Sequence, residues 1–453
     1  MQHARNPILI ENGRLFDAVS ENSALASLAL ADGQVVAAGA AALDWARDRN
    51  DLTRIDASGM TVMPGLIDAH CHISFDEPSS NDELFFHRRE GLAAIIAVEN
   101  ARKLLRAGVT AFFDPDTIFN VSLDLRDAIE AGVIEGPRMA CGGNALFTSV
   151  GGTAGMLVPA EGGIGYLKVT RTRDEIVSEI RQQAKRGVDW IKIHVTGLIP
   201  RQRAAGEIQV WSIEELRLAA QTAHELGLPI VGHCRNASST RDAALAGFDM
   251  ILHATHMDDA ALEAVIEAKV PIAPSLTFQA VLADHGHRIG SSAQLQDMFS
   301  AEITASAASL RRAWQAGVPM LSGSESGFSI TPYGEWHWRE LTVFVEHLGM
   351  TPAQALIAAT RENARALGRY GELGTLAPGM PADVIVVNGD VTQDVSLLGV
   401  PGGIAHVLLD GRPVDLSPPP RRRLALPSWR VANYSAIPAT RAAVARGADA
   451  ASN

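Results

Sequence analysis

The sequence has few of the residue types that would point to a secreted, disulfide-rich protein. Among 453 residues there are three cysteines, Cys71, Cys141 and Cys234, an odd number without paired spacing. That pattern suits a reducing compartment and argues against a disulfide framework. Aromatic residues make up only 5% of the chain, whereas 40 glycines predict tight turns between many structural elements.

Positive charge and long apolar runs are also scarce. The net charge is −12, from 39 basic and 51 acidic residues, and the basic block "RRR" is confined to positions 421–423. This balance argues against a nucleic-acid partner. The longest apolar runs are broken well short of a spanning helix, so we expect no membrane partner. Residues 1–17 contain no apolar signal region, and a cytoplasmic protein is the expectation.

Both ends of the chain are patterned as short strands. The stretches "ILIENGRLFD" and "SLALADGQVVAAG" near the start resemble "ADVIVVNGD" and "GIAHVLLDGRPV" near the end, and Asn12-Gly13 and Asp32-Gly33 predict hairpin turns. We expect residues 1–62 and 369–416 to form a small β-sandwich. Residues 417–453 predict an extended arm, suited to packing on a neighbouring subunit of a homo-oligomer, and then a disordered tail.

The middle segment, residues 63–368, alternates apolar strands with amphipathic helices. Strands are expected near 64–70, 109–114, 138–142, 190–195, 229–233, 250–254, 271–275 and 318–323. Eight strand-then-helix units predict an α/β protein with a (β/α)8 TIM-like barrel. A doubly wound open sheet is the alternative, but no glycine-rich phosphate-binding turn follows the first strand.

Polar residues recur where these strands end. The stretch "MPGLIDAHCH" ends in His70 and His72, which share one face of a strand because side chains two apart point the same way. The other strand ends carry Lys192 and His194 in "DWIKIHVTG", His233 in "LPIVGHCRN", His253 in "FDMILHATH" and Glu325 in "VPMLSGSESG". The joint pattern predicts a metal site at the C-terminal ends of the strands.

These motifs, together with "GTLAPGMPADVIVV", resemble the amidohydrolase superfamily over nearly the whole chain. The resemblance implies that His70 and His72 bind one divalent metal and that His233 and His253 bind a second. Lys192 would be carboxylated and bridge the two. An uncarboxylated Lys192 in a mononuclear site is the alternative. Zinc is the expected metal, with cobalt, manganese or iron as other options.

The eighth strand end departs from the superfamily pattern. The superfamily has aspartate there, as in "GTDAG" or "GSDSG", whereas this chain has "GSESG" with Glu325. The resemblance implies that Glu325 takes a proton from water and passes it to the leaving group. Its coordination to the metal is left open, because the extra methylene shifts the carboxylate.

Five further residues are candidates for contact with substrate. His194 would touch substrate or support the metal ligands. Arg235 would bind a carbonyl or carboxylate, or form a structural salt bridge. Tyr333, Trp336 and His337 follow the eighth strand, where an aromatic wall for substrate and core packing are the alternatives.

The resemblance implies hydrolysis of a C–N bond in an amide, urea or carbamate by metal-activated water. The motifs are most similar to the branch that includes imidazolonepropionase-like enzymes, metal-dependent prolidases, and hydrolases of phenylurea and thiocarbamate herbicides. We therefore expect a small apolar or aryl substrate. The alternatives are a prolidase-like dipeptidase or N-acyl amino acid hydrolase, and a non-catalytic member of the superfamily.

Overall fold

A computed structural model describes residues 6–80, 89–150, 165–198, 207–418 and 434–447. This part of the chain is an α/β protein, and none of its helices is long and apolar enough to cross a bilayer. Most of the predicted C-terminal arm, including the "RRR" block at 421–423, and residues 448–453 lie outside the described residues.

Strands and helices alternate through the middle of the chain. The strands are β1 (Ile8–Phe16), β2 (Ser23–Ala31), β3 (Gln34–Ala38), β4 (Thr53–Asp56), β5 (Met60–Pro64), β6 (Leu66–Asp68), β7 (Val109–Asp114), β8 (Arg138–Cys141), β9 (Ala145–Phe147), β10 (Leu167–Val169), β11 (Ile191–His194), β12 (Thr196–Leu198), β13 (Ile208–Gln209), β14 (Ile230–Cys234), β15 (Met250–His253), β16 (Ile272–Ala273), β17 (Val384–Asn388), β18 (Ile404–Leu409) and β19 (Arg412–Pro413). The α-helices are α1 (Ala40–Ala46), α2 (Glu90–Arg106), α3 (Val121–Glu130), α4 (Arg173–Arg186), α5 (Ile213–Glu225), α6 (Ala237–Ala246), α7 (Asp259–Ala268), α8 (Thr277–His285), α9 (Ala293–Gln315), α10 (Arg339–Val343), α11 (Pro352–Ala358) and α12 (Arg441–Arg446).

The two ends of the chain share one eight-stranded sheet, ordered β19-β18-β17-β5-β1-β2-β3 with β4 beside β1. Strand β17 shows why both faces of this sheet are apolar. Val384 and Val386 pack with Ile8 and Leu30 on one face, while Ile385 and Val387 belong to the main core on the other. This alternation is the period of two that a strand imposes. The predicted pairing of the chain ends is present as this sheet, and its organisation as a sandwich stays a prediction.

The two predicted hairpin turns have different outcomes. Asp32 and Gly33 both have positive φ, 51° and 81°, and connect β2 to β3 as the sequence predicts. Asn12-Gly13 does not form a turn between strands, so that prediction is wrong. Asn12 has a φ of 62° within β1, where the register against β2 shifts between Ile10 and Gly13. The dipeptide forms a β-bulge instead of a hairpin turn, because a bulge and a hairpin turn both need a residue with positive φ.

Most strands of the middle segment are parallel and lie in two sheets, and β12 and β13 form a separate antiparallel pair. One has the order β6-β7-β8, and the other has the order β10-β9-β11-β14-β15-β16. The amide of Asp189 donates to Cys141 at 2.8 Å and links the two sheets at one side. On the other side, Leu321 donates to Ile272 at 2.8 Å and Ala69 donates to Ser322 at 2.9 Å.

Seven of the eight predicted middle strands overlap strands of the structure. The stretch predicted at 318–323 instead makes a single parallel bridge, between Met320 and Ile272. Strands β9 and β10 are short additions that the sequence pattern did not reveal. The two helices predicted from "RDEIVSEIRQQAKRG" and "SIEELRLAAQTAHELG" are confirmed as α4 and α5, whose first turns are capped by the side chains of Thr172 and Ser212.

Asn363 joins β6 to the stretch that carries Glu325. Its buried side-chain amide donates to the carbonyls of Ile67 and Ser322, and its side-chain oxygen accepts from the Ser322 amide at 2.9 Å. All of these groups lie away from solvent, so each bond that is lost leaves a buried polar atom without a partner.

We predict that Asn363→Ala lowers the free energy of unfolding by about 2–4 kcal/mol, because it removes three buried hydrogen bonds. Asn388→Ala is the matched control, since Asn388 is exposed and donates to Gly402 at 3.2 Å. The control should cost less than about 1 kcal/mol. Urea denaturation of both variants measures the difference, and equal losses would contradict the role given to Asn363.

Candidate metal centre

A buried carboxylate, that of Asp68, is one of the groups that hold the turn after β6. Asp68 Oδ1 accepts from the backbone amides of His70 at 3.0 Å and Ser324 at 3.1 Å. Its Oδ2 accepts from the Ser324 hydroxyl at 2.5 Å and lies 2.7 Å from His337 Nδ1. The Glu325 amide in turn donates to the His70 carbonyl at 2.7 Å. The turn that bears the histidine pair and the turn that bears Glu325 are therefore fixed to each other.

The five predicted histidines form a continuous series of ring contacts. Ring centroids lie 5.0 Å apart for His70 and His72, 5.4 Å for His70 and His253, 4.6 Å for His253 and His233, and 4.8 Å for His233 and His194. The register explains the convergence, since His194 of β11 lies opposite His233 of β14 and His253 of β15 lies opposite Cys234. The structure brings these side chains together at the C-terminal ends of neighbouring parallel strands.

Asp116 closes this series and was missed by the sequence reasoning. Its Oδ1 lies 2.8 Å from His72 Nδ1, and its Oδ2 lies 3.4 Å from His194 Nε2 and 3.7 Å from Lys192 Nζ. The Tyr166 hydroxyl donates to the same Oδ2 at 3.3 Å. A signal existed in "FFDPDT", because Asp114 ends β7 and Asp116 follows it by two residues, the same spacing as the histidine pair.

Lys192 is completely buried between this carboxylate and the imidazoles. Burial lowers the pKa of Lys192 from its ordinary value, while the negative charges of Asp116 and Glu325 oppose the shift. Burial thus favours the neutral amine, the form of lysine that reacts with CO₂.

Glu325 stands at a sharp turn with a φ of 52°, a backbone conformation that non-glycine residues seldom adopt. Its Oε1 lies 4.0 Å from His253 Nε2. Burial raises the pKa of Glu325 to about 8, although Arg235 and Lys192 act in the opposite direction. Potential ligand atoms of Glu325, His70 and His72 all lie within 4.8 Å of one another.

Several buried ring nitrogens have no hydrogen-bond partner in the described part of the chain. They are His70 Nε2, His72 Nδ1, which nonetheless lies 2.8 Å from Asp116 Oδ1, and both ring nitrogens of His253. His70 Nδ1, by contrast, lies 2.8 Å from the Ser275 hydroxyl, which leaves Nε2 as the outward-facing lone pair. Burial also lowers the pKa of His70, His233 and His253 well below the usual value. Neutral imidazoles with unused lone pairs are the donors that zinc and similar divalent ions prefer, so these residues fit a metal.

Two acidic residues besides Asp116 adjoin the histidines. Glu207 Oε2 lies 3.1 Å from His233 Nε2 and accepts from the Thr196 hydroxyl at 2.9 Å. Asp114 Oδ1 lies 4.0 Å from His72 Nδ1, and potential ligand atoms of His72, Asp114 and Asp116 form a second group within 4.8 Å of one another. Neither acid stood out in the sequence, because Glu207 precedes a two-residue strand and Asp114 was read as the end of an apolar one.

Arg235 is committed to other protein groups. Its Nη2 donates to both carboxylate oxygens of Glu302, at 2.8 and 2.6 Å, and its Nε lies 3.5 Å from Glu207 Oε1. The structural salt bridge foreseen as one alternative is therefore present. Two carboxylates against one guanidinium leave this corner of the site without excess positive charge.

The residues predicted as an aromatic wall are buried and bonded within the protein. The Tyr333 hydroxyl donates to the His72 carbonyl, and the Trp336 indole donates to Ala439 at 2.6 Å. His337 accepts from the Gly334 amide at 3.0 Å through Nε2, so its Nδ1 carries the proton shared with Asp68. These contacts are those expected from the packing alternative, and contact of these residues with substrate stays a prediction.

Comparison with known proteins places the fold and the family. The model of the Amidohydrolase family matches residues 61–414. Ochratoxinase of Aspergillus niger is 27% identical over 376 residues, covering 78% of this chain and 75% of that protein. A solved Xaa-Pro dipeptidase with methionine bound in its active site is 26% identical, with a TM-score of 0.76 over 90% of this chain and 99% of that chain.

A likeness in fold alone extends to a solved molinate hydrolase. That structure is 23% identical and covers 93% of this chain and 99% of its own, with a TM-score of 0.74. The family match spans most of the chain and includes every candidate site residue described above. The protein therefore belongs to the Amidohydrolase family and is a hydrolase.

Proposed function

We propose that this protein is a metal-dependent amidohydrolase that cleaves a C–N bond of a neutral amide, urea or carbamate with an apolar or aryl group. The observation that carries the proposal is the set of buried, unpartnered ring nitrogens, His70 Nε2 and both nitrogens of His253, in two rings whose centroids lie 5.4 Å apart. Leaving such atoms unsatisfied is costly unless a ligand occupies the site.

The metal would be held by His70 and His72 on one side and by His233 and His253 on the other. Zinc suits these imidazoles best, with Lys192, once carboxylated, as an oxygen donor between the two pairs. When bound by these residues, a divalent ion would supply Lewis-acid chemistry, namely polarisation of a carbonyl group and a lower pKa for water. Asp116 would hold His72 by its Nδ1 and direct the opposite ring nitrogen to the metal.

Glu325 is the proposed proton carrier. Its carboxylate lies within 4.8 Å of potential ligand atoms on both His70 and His72. The hydrogen bond from the Glu325 backbone amide to the His70 carbonyl fixes the backbone of Glu325. A carboxylate at that distance can accept a proton from an attacking water and deliver it to the departing amine. The turn with positive φ supports this role, because strained backbone tends to occur at functional sites.

A neutral substrate is favoured by the charges around the site. Arg235, the cation best placed to bind a free carboxylate, is already paired with Glu302 and Glu207. Phe75 stacks on the His72 ring with centroids 4.5 Å apart, and Phe147 lies 4.6 Å from the His194 ring. These apolar neighbours support an aryl or alkyl group next to the scissile bond.

A prolidase-like dipeptidase or N-acyl amino acid hydrolase is the second candidate. The solved Xaa-Pro dipeptidase, 26% identical to this chain, favours it. Such a substrate carries a free carboxylate, and Arg235 would have to leave Glu302 to bind it. The bidentate contact at 2.8 and 2.6 Å weighs against that exchange.

We also propose how the strands are arranged in the protein as a whole. The hydrogen bonds of Asp189, Leu321 and Ala69 that link the two parallel sheets support closure into a (β/α)8 barrel over residues 63–368. The shared sheet of the chain ends supports a separate small domain from residues 1–62 and 369–416. A homo-oligomer remains part of the proposal.

Metal analysis and a substrate panel test the proposed function. Metal-replete enzyme should hold one or two zinc ions per chain and should hydrolyse acetanilide or a phenylurea faster than N-acetylproline. His253→Ala should lose metal and activity together. Faster hydrolysis of N-acetylproline would favour the second candidate, the prolidase-like or N-acyl amino acid hydrolase. A metal-free protein that is active on either compound would refute the proposed metal site.

Glu325→Gln should slow turnover by roughly 10²-fold or more while metal content is unchanged, because the amide keeps the shape of the side chain but accepts no proton. Glu325→Asp should also lose activity, since its reach is shorter by about 1.5 Å. Glu346→Gln, at an exposed position, is the control. Steady-state kinetics with parallel metal analysis decides, and near-normal turnover of the Gln variant would remove Glu325 from the mechanism.

Asp116→Asn should weaken zinc binding by about 10- to 100-fold, because a neutral amide holds His72 less strongly and no longer offsets the nearby positive charge. Asp124→Asn, on the exposed side of α3, is the matched control and should bind zinc normally. Competition with a chromogenic chelator measures the affinity, and circular dichroism checks the fold. Equal affinities for both variants would leave Asp116 without this function.

A further inference from the structure

Residues 434–447, here called the C-terminal strap, lie beyond the stretch that matches the family model, which ends at residue 414. The strap is tied by backbone bonds to three loops near the candidate metal centre. The Tyr434 amide donates to Ser79 at 2.9 Å, the Ala436 amide to Ile289 at 2.8 Å and the Ala439 amide to Ser329 at 2.8 Å.

Side chains fasten the rest of the strap. The Trp336 indole donates to the Ala439 carbonyl at 2.6 Å, and Arg441 contacts Glu335 Oε2 at 2.9 Å and the Gly399 carbonyl at 2.5 Å. Ala439 and Val444 are buried against Trp336 in one hydrophobic cluster. The strap is thus a fixed part of the molecule, and the burial of Trp336 is explained by its docking.

Tyr434, the first described residue of the strap, completes a cluster of three half-buried rings with Phe278 and Phe328. Ring centroids lie 5.6 Å apart for Phe278 and Phe328, 5.7 Å for Phe278 and Tyr434, and 6.3 Å for Phe328 and Tyr434. The three interplanar angles are 84°, 89° and 88°. The rings therefore stand at right angles to one another, like the three walls of a corner.

This corner adjoins the candidate metal centre. The Phe328 ring lies 5.9 Å from the His72 ring and comes three residues after Glu325. Phe278 comes three residues after Ser275, whose hydroxyl lies 2.8 Å from His70 Nδ1. The cluster thus touches the site through the ring of Phe328 beside His72.

We propose that the strap determines substrate specificity, with Tyr434, Phe278 and Phe328 binding the aryl group of the substrate. This inference rests on the proposed function and names the part of the site that selects its substrate. A flat ring stacked on the face of one of these rings would direct its edges towards the faces of the other two, and stacked and edge-to-face contacts are the arrangements that aromatic pairs prefer. A saturated ring of similar size is thicker and has no polarised face and edge, so its binding to the three rings is stabilised less. None of the three rings carries a charge, which suits a neutral aryl group.

A matched pair of amides, acetanilide and N-cyclohexylacetamide, tests the proposal on the full-length, metal-replete enzyme. Wild type should prefer acetanilide. Tyr434→Ala should raise KM for acetanilide about tenfold, leave its KM for N-cyclohexylacetamide nearly unchanged and keep kcat within about twofold. Tyr434→Phe should retain the preference. Tyr370→Ala is the control, because the Tyr370 ring is half-exposed and packs on Arg365 instead.

Ligand-observed saturation-transfer NMR with acetanilide separates this proposal from the proposed reaction. Transfer to the phenyl protons should be seen with wild type and Tyr370→Ala and should be lost with Tyr434→Ala, whether or not the amide is cleaved. If neither amide is cleaved but this pattern holds, the choice of reaction fails and the specificity proposal stands. An unchanged ratio of KM values in Tyr434→Ala, or no contact with acetanilide in wild type, would overturn the specificity proposal.

Discussion

The carboxylate of Asp68 holds together the two turns on which the candidate site depends. Its four contacts join the amide of His70, the amide and hydroxyl of Ser324, and the ring of His337. Hydrogen bonds to a buried charged acceptor are among the stronger ones in proteins. Together with the bonds from the Glu325 amide to the His70 carbonyl and from the His72 amide to the Ser326 carbonyl, they fix the histidine pair and the strained backbone at Glu325 relative to each other.

Charge around the site is balanced by carboxylates that the protein places in specific positions. Asp116 lies among His72, Lys192 and His194, where burial alone would disfavour every protonated group. Glu302 and Glu207 neutralise Arg235 in the same way. The result is a centre rich in neutral nitrogen donors with no free cation among the described residues that would bind an anionic substrate. That balance supports the proposal that the substrate is a neutral amide, urea or carbamate.

The C-terminal strap links the residue Trp336 to the aromatic cluster that is proposed to bind the substrate. Trp336 was a candidate for substrate contact, yet its indole anchors Ala439 and lies in the cluster that seats the strap. The aromatic surface proposed for the substrate is instead formed by the half-buried rings of Phe278, Phe328 and Tyr434. The strap lies outside the residues that match the family model, yet Tyr434 lies near the candidate metal centre. The candidate ligands of that centre all lie within residues 61–414. Relatives with similar centres and different C-terminal segments would then differ in the group they accept.

The sequence by itself determined the α/β class, seven middle strands with the histidines and lysine on or just after them, and the glutamate that follows the stretch with a single bridge. It could do so because strand periodicity and strand termini are local properties that the chain order records directly. Only tertiary structure decided that Asp116 and Glu207 join the histidines and that Arg235 is paired with Glu302. It also decided that Trp336 packs against the strap. Those outcomes depend on contacts between residues up to about a hundred positions apart, which no local pattern specifies.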